Sequence, residues 1–318
     1  MSKSQRESLM RSVKRALVKS GSDSQATKAA LKLYGFWHGY RICIGDTLIM
    51  QKGSAVIRVS KAAVSMVPYM LRYFDLYFNS FDATAEGNFR VLDFSKPAFH
   101  RYTHAGVGFH FPSIPEEEFG EEYTRLYQVK PGDVVFDIGA NAGATSWFFS
   151  QMVGPKGKVY SFEPDELNYE YLVKNIEHHG LTNVMPIKKA VSDHTGLAAF
   201  QMHGTLASGL AELVAYGVEG ATHSVPTVTL ADACGELSII PNFIKMDVEG
   251  AETSIISQSL GFLKENPIDF AFDSCHIVNG EMTCVVLDKL FAAIGYRVKS
   301  SAESGQMFTW AAPGAVLQ

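Results

Sequence analysis

Cysteine is scarce. The 318 residues carry four, Cys43, Cys234, Cys275 and Cys284, and no two of them form a C-x-x-C pair. Their spacing fits no zinc framework, so no metal centre is expected, and the scatter reads as reduced, mostly buried thiols of a cytoplasmic protein. Long hydrophobic runs are also missing: no apolar stretch reaches the ~18 residues that a membrane-spanning helix needs. The N-terminal stretch has no compact apolar core and no small-residue cleavage site, which argues against a secretory signal. Charge is thin, at 19% of residues with a formal net of −5, and gives no reason to invoke nucleic acid. Six basic side chains (Lys3, Arg6, Arg11, Lys14, Arg15, Lys19) stand against Glu7 at the start of the chain. They read as a solvated or frayed terminal helix, with a membrane surface, nucleic acid or an acidic partner as the alternatives.

What is present suffices for a core. Hydrophobic residues make up 47% of the chain and the mean hydropathy is +0.02, which excludes a disordered polymer. A chain of this length buries about 75% of its unfolded surface and needs neither disulfides nor a structural metal. Composition leaves homo-oligomerisation open.

No repeat or low-complexity tract divides the sequence, but its texture changes near residue 112. Residues 1–112 read as an α+β accessory region. It comprises a polar helical start, hairpin-like strands at 40–50 and 54–60 that turn at Lys52-Gly53, a helical stretch 62–78 interrupted by Pro68, and short strands at 89–94 and 105–111. Pro115 followed by a run of carboxylates predicts a helix start, with Phe119, Tyr123, Leu126 and Tyr127 on one buried face. From Lys130 strands and helices alternate, which predicts an α/β domain over 113–318 with a mainly parallel sheet. Strands are expected at 134–138, 159–162, 184–187, 243–246 and 268–272, and two more at 296–300 and 307–312. Asp165 is expected to cap a helix running to His178, a pair with His179 that reads as structural at the helix end, and 192–225 reads as irregular.

The chemistry sits at strand ends. Asp137-Ile-Gly-Ala-Asn-Ala-Gly143 follows the first strand of this domain, and Gly139 and Gly143 let the backbone turn tightly against a ligand. Glu163 ends the second strand, 26 residues after Asp137, where a carboxylate accepts hydrogen bonds from a ribose diol. Ala190-Val-Ser-Asp193 follows the third strand, on the adenine side. Ile244-Lys-Met-Asp-Val-Glu-Gly-Ala-Glu252 closes the fourth. A nicotinamide dinucleotide fits less well, because Asn141 stands where a G-x-G-x-x-G fingerprint has its central glycine, and its side chain occupies the approach of the pyrophosphate. A phosphate-free ligand, S-adenosylmethionine, tolerates that exchange.

Carried by Asp93-Phe-Ser-Lys-Pro97, residues 130–143, Phe162-Glu-Pro-Asp165, 190–193, Thr229-Leu230 and 243–252, the chain from about Phe89 onward resembles the FkbM-like family of S-adenosylmethionine-dependent methyltransferases. The resemblance implies a Rossmann-like class I methyltransferase with a mostly parallel seven-stranded sheet whose last strand is antiparallel. It also implies O-methylation of hydroxyls on sugars, glycans or small natural products. Two positions depart from the family pattern on the acceptor side: Ala231 replaces an acid, and Phe272-Asp-Ser-Cys-His276 replaces a strand end containing Glu.

The expected cofactor-binding residues are Asp137, Gly139, Asn141, Gly143, Thr145, Glu163 and Asp193. Asp137 would meet the cofactor's ammonium or an ordered water, and Asn141 would also cap the following helix. Thr145 would contact the methionine carboxylate or simply complete the first helical turn. Asp247, Glu249 and His276 are the expected catalytic residues, with His276 as the candidate base. Asp247, Asp273 and His276 form the chemically conceivable metal cluster, which nothing in the spacing demands. Two alternatives remain: an NAD(P)-dependent oxidoreductase, and a non-catalytic cofactor-binding module.

Overall fold

The structure is a computed structural model that describes residues 24–116, 119–201, 209–210, 222–303 and 306–314. The basic N-terminal segment lies outside the described residues. The chain forms two compact units that divide after residue 117. No helix among the described residues is long and apolar enough to cross a membrane.

The first unit begins with helix α1 (Gln25–Trp37), capped by Ser24, whose hydroxyl accepts from the Thr27 N–H at 3.1 Å. Strands β1 (Arg41–Ile44), β2 (Thr47–Lys52) and β3 (Ala55–Ser60) follow. The stretch expected as one strand over 40–50 is therefore two, because Gly45 and Asp46 reverse the chain. A 3₁₀ turn (Lys61–Met66) leads into α2 (Val67–Arg72) and α3 (Phe74–Ser80). Pro68 does not interrupt the helical stretch as expected. It occupies the first turn of α2, where its missing N–H leaves no partner unserved, and the break falls at Tyr73. Strands β4 (Thr84–Glu86) and β5 (Phe89–Phe94) complete a sheet of order β1-β2-β3-β5-β4, and β6 (Ala98–Tyr102) pairs with β7 (Val107–Phe111). Tyr77, Phe81, Phe94, Tyr102, Phe109 and Phe111 fill the interior as a ring-on-ring core.

The second unit opens on a 3₁₀ turn (Glu121–Thr124) rather than the expected helix. Phe119 and Tyr123 are buried there, whereas Leu126 and Tyr127 are only half-buried. Three strands then alternate with two helices: β8 (Val134–Ile138), α4 (Ala144–Val153), β9 (Lys158–Phe162), α5 (Glu166–His178) and β10 (Val184–Ile187). Asp165 caps α5 by accepting from the Leu167 and Asn168 N–H groups at 2.9 and 3.1 Å. The stretch expected to be irregular is a second small sheet of β11 (Ala190–Val191), β12 (Gly196–Gln201), β13 (Gly209–Leu210) and β14 (Thr222–Val228). Helix α6 (Leu230–Leu237), not anticipated from the sequence, is capped by Thr229. Then come β15 (Phe243–Met246), α7 (Glu252–Glu265), β16 (Asp269–Asp273), the short β17 (Ile277–Val278) and β18 (Glu281–Met282), α8 (Thr283–Ala292), β19 (Tyr296–Glu303) and β20 (Gln306–Pro313).

The main sheet has the order β10-β9-β8-β15-β16-β20-β19 and is mixed. Its first five strands run parallel, and β20 inserts antiparallel between β16 and β19. Alternate residues face opposite layers. Val135, Val159 and Phe243 pack with α4, while Phe136, Phe162, Ile244, Met246 and Phe272 pack with α6, α7 and α8. The carboxyl ends of β8, β9, β15 and β16 thus open at one edge of the sheet, where ligands of open α/β folds bind.

Candidate functional site

The turn after β8 is shaped by contact with β15. Gly139 has φ +79°, and a Cβ built there would lie 1.9 Å from the Asp247 carbonyl oxygen. No side chain fits, and the two strand ends touch. Asn141 also adopts a left-handed conformation, at φ +48°, and its Oδ1 accepts from the Ala142 N–H at 2.6 Å. Helix α4 starts only at Ala144, with Gly143 in the capping position and no side-chain cap. Asn141 therefore does not cap the helix as expected.

Asp137 and Thr145 are turned into the protein. Asp137 has no exposed surface, and its Oδ2 accepts from Thr145 Oγ1 at 2.8 Å and Ser146 Oγ at 2.6 Å. Its Oδ1 lies 3.3 Å from Nζ of Lys245, also fully buried, which donates to the Gly139 carbonyl at 2.7 Å. Sequence reasoning missed this lysine. The signal was available: a cation in the otherwise apolar strand Phe-Ile-Lys-Met, at the position paired with Asp137 across the ladder. The ion pair braces the turn from behind and leaves the backbone of residues 139–143 as its outward face.

Glu163 sits at the end of β9, 5% exposed. Its Oε2 accepts from the Asn141 N–H and its Oε1 from the Asp165 N–H, both at 2.8 Å. Burial outweighs these donors and pushes its pKa up to about 8. A carboxylate offers about four lone-pair sites. Each oxygen here takes one backbone donor, so capacity for a diol remains. Asp193 follows β11 and is exposed, 2.8 Å from Nδ1 of His194. It lines a cleft of about 350 Å³ together with Gly250, Thr253, Ser254, Val278 and Asn279, which belong to the segments after β15 and β16.

Those segments carry an acidic cluster around one histidine. Asp247 and Glu249 follow β15, and Glu249 is held at φ +56°. His276 follows β16, with its Nε2 3.6 Å from Glu249 Oε2 and its Nδ1 3.5 Å from Glu252 Oε1. Burial disfavours a charged imidazole, but Glu252, Glu249 and Asp273 outweigh it and hold the His276 pKa well above its ordinary value. Asp273 is itself buried beside Asp247, and burial together with that neighbour raises its pKa to about 7. The carboxylates of Asp247 and Glu249 and the imidazole of His276 bring donor atoms within 4.8 Å of one another, and so do Asp273, Cys275 and His276. Either spacing could be bridged by a divalent cation. The sequence grouped Asp247, Asp273 and His276; the structure puts Glu249 beside Asp247 and His276 in the first set. Glu252, quoted only as part of a motif, proves to be wholly buried.

Residues 137–291 match the family model described as Methyltransferase FkbM domain. Over that stretch the chain resembles the FkbM family. S-adenosylmethionine is the methyl donor of such a domain, and the residues fit it: a phosphate-free turn, and a buried carboxylate with spare acceptor capacity at the second strand end. Among curated proteins, the chain is similar to the 31-O-demethyl-FK506 methyltransferase FkbM of Streptomyces tacrolimicus, 36% identical over 84 residues, 26% of this chain and 32% of that one. It is also similar to the tRNA (adenine(58)-N(1))-methyltransferase catalytic subunit TRM61 of Yarrowia lipolytica, 36% identical over 64 residues, 20% of this chain and 16% of that one. The chain thus spans less than a third of the length of these relatives. Among solved structures, a methyltransferase FkbM from Methylobacillus flagellatus KT aligns at 15% identity and a TM-score of 0.42, covering 60% of this chain and 49% of that one.

Proposed function

We propose that the FkbM domain transfers the methyl group of S-adenosylmethionine to a hydroxyl oxygen of a small molecule or glycan. One observation carries this reading. The Asp247–His276 cluster lies at the β15 and β16 ends, and the β15 end touches the turn after β8 through Gly139 and Asp247. Residues at the ends of β8 and β9 would hold the cofactor, which would supply an activated methyl group beside groups that can accept a proton.

In this reading the backbone of Gly139, Asn141 and Gly143 faces the amino-acid tail, and Asp137 with Thr145 holds that turn in shape. Glu163 accepts from the ribose diol, whereas Asp193, expected on the adenine side, lines the cleft with Gly250, Thr253 and Val278. Asp247 accepts a hydrogen bond from the acceptor hydroxyl and orients it. S-adenosylmethionine would supply the activated methyl group to the hydroxyl oxygen, with the electron pair of the broken sulfur–carbon bond left on sulfur. The hydroxyl proton would pass to His276 in its neutral form, which the neighbouring carboxylates confine to alkaline pH. The sulfonium is already activated, so in-line placement is the protein's main contribution, an effect worth roughly 7–11 kcal/mol of barrier. Glu249 beside His276 offsets charge as the imidazole takes the proton.

The test is a screen of hydroxylated sugars, lipids and polyketides that reads S-adenosylhomocysteine release. Release with a hydroxyl acceptor, and methylated product at that oxygen, supports the reading. Methylation at nitrogen or carbon overturns it, as does binding of NAD in place of S-adenosylmethionine.

A further inference from the structure

Glu252 begins α7, yet a carboxylate with no exposed surface is costly unless something compensates it. Two backbone donors hold it in place: Oε1 accepts from the Val248 N–H at 2.9 Å and the Gly250 N–H at 3.4 Å. A neutral glutamine would satisfy both through its carbonyl oxygen. Burial pushes the Glu252 pKa up, and the strongest influence that opposes this is His276 rather than the turn. The remaining neighbour is His276, whose Nδ1 lies 3.5 Å from the same oxygen and has no hydrogen bond, while Glu252 Oε2 has none either. On the other side of the ring, Glu249 faces Nε2 from a side chain that is 34% exposed, against 0% for Glu252. One carboxylate is free to swing away. The other is fixed.

We propose that Glu252 is the positioning residue for His276: it keeps a proton on Nδ1 and so leaves Nε2 as the atom that receives the acceptor's proton. The inference rests on the methyl-transfer reading. As the acceptor oxygen bonds to the methyl carbon, its proton moves to Nε2, and the imidazolium formed donates through Nδ1 to the Glu252 carboxylate. The proton then leaves Nε2 to solvent, and sulfur retains the electron pair of the broken bond. The charged groups around the ring are Asp247, Glu249 and Glu252 from the turn after β15 and Asp273 from β16. Of the two carboxylates paired with the ring, Glu249 faces Nε2 and Glu252 faces Nδ1. The His276 carbonyl accepts from the Thr283 N–H at 2.9 Å, which anchors the main chain and leaves ring orientation to the carboxylate.

Long-range nitrogen NMR on the cofactor-free protein with labelled histidine tests this without any acceptor, the His276 signal being assigned by its loss in His276→Gln. At alkaline pH the neutral ring should carry its proton on Nδ1. In Glu252→Gln the His276 titration should move down by about one pH unit or more, and Glu252→Asp should restore most of the shift. A proton on Nε2 in the wild-type protein, or an unchanged titration in Glu252→Gln, overturns the proposal. If Glu252→Gln does not fold, the wild-type tautomer decides alone. Failure of the methyl-transfer reading would look different: no S-adenosylhomocysteine from any hydroxyl acceptor, whatever the tautomer.

Discussion

Lys245 and Asp137 sit directly across from each other on adjacent parallel strands, 3.3 Å apart, and neither side chain has any exposed surface. The lysine also holds the Gly139 carbonyl, so one buried cation ties the end of β15 to the turn that follows β8. The cofactor-side turn and the chemistry-side turn are thereby fixed relative to each other by the sheet itself. This matters for a reaction in which a displacement of one ångström alters the rate greatly.

Removing one member of such a pair leaves the other buried and uncompensated. Lys245→Met should destabilise the protein by about 3–5 kcal/mol in urea denaturation. The double variant Lys245→Met with Asp137→Leu should recover much of that loss, because no buried charge then remains. A single variant within about 1 kcal/mol of wild type would mean the pair is not a brace.

Stability should also fall as pH rises through neutrality. The folded-state pKa of Glu163, about 8, lies above its ordinary 4.5, so the folded protein keeps a proton that the unfolded chain releases between those values. The contribution is fully present below the unfolded value and is lost as pH passes the folded one. Asp273, raised to about 7, and Asp269, raised by burial to about 6, act with the same sign. Denaturation midpoints of the cofactor-free protein should decline from about pH 5 to 8, and Glu163→Gln should flatten that slope. Stability that rises over this interval would contradict the assignment.

Much of this architecture was legible in the chain, for physical reasons. Strands β8, β9, β15 and β16 are short apolar runs bounded by glycine or polar turns, and the Asp165 cap of α5 is a local hydrogen-bonding pattern. What escaped depends on partners distant in sequence. Lys245 and Glu252 look like surface charges until the fold buries them against Asp137 and His276. The β12–β14 sheet alternates weakly, with Thr222, Ser224 and Pro226 exposed along β14, and its register appears only when the two strands pair. The carboxylates near Pro115 suggested a helix, but burial of Phe119 and Tyr123 is met by a single 3₁₀ turn. At the site, the residue types were readable and their directions were not: Asp137 and Thr145 face inward, toward each other.

Above the Glu163 pKa of about 8, Glu163→Gln should weaken S-adenosylmethionine binding by roughly 1–3 kcal/mol, since a neutral amide then replaces a charge-assisted acceptor at the ribose diol. Calorimetric titration of the folded variant checks this. Unchanged affinity would mean that the carboxylate does not meet the ribose.

The most direct test of the division between binding and chemistry is Asp247→Asn, measured by calorimetry with S-adenosylmethionine and by initial rate with the acceptor found in the screen. In the proposed reading the carboxylate after β15 orients the acceptor, whereas the ends of β8 and β9 hold the cofactor. Affinity for the cofactor should therefore stay within about threefold while turnover falls by roughly 10²–10⁴-fold. If affinity instead falls with turnover, in proportion, Asp247 belongs to the cofactor site and the proposed chemistry at the β15 and β16 ends is wrong.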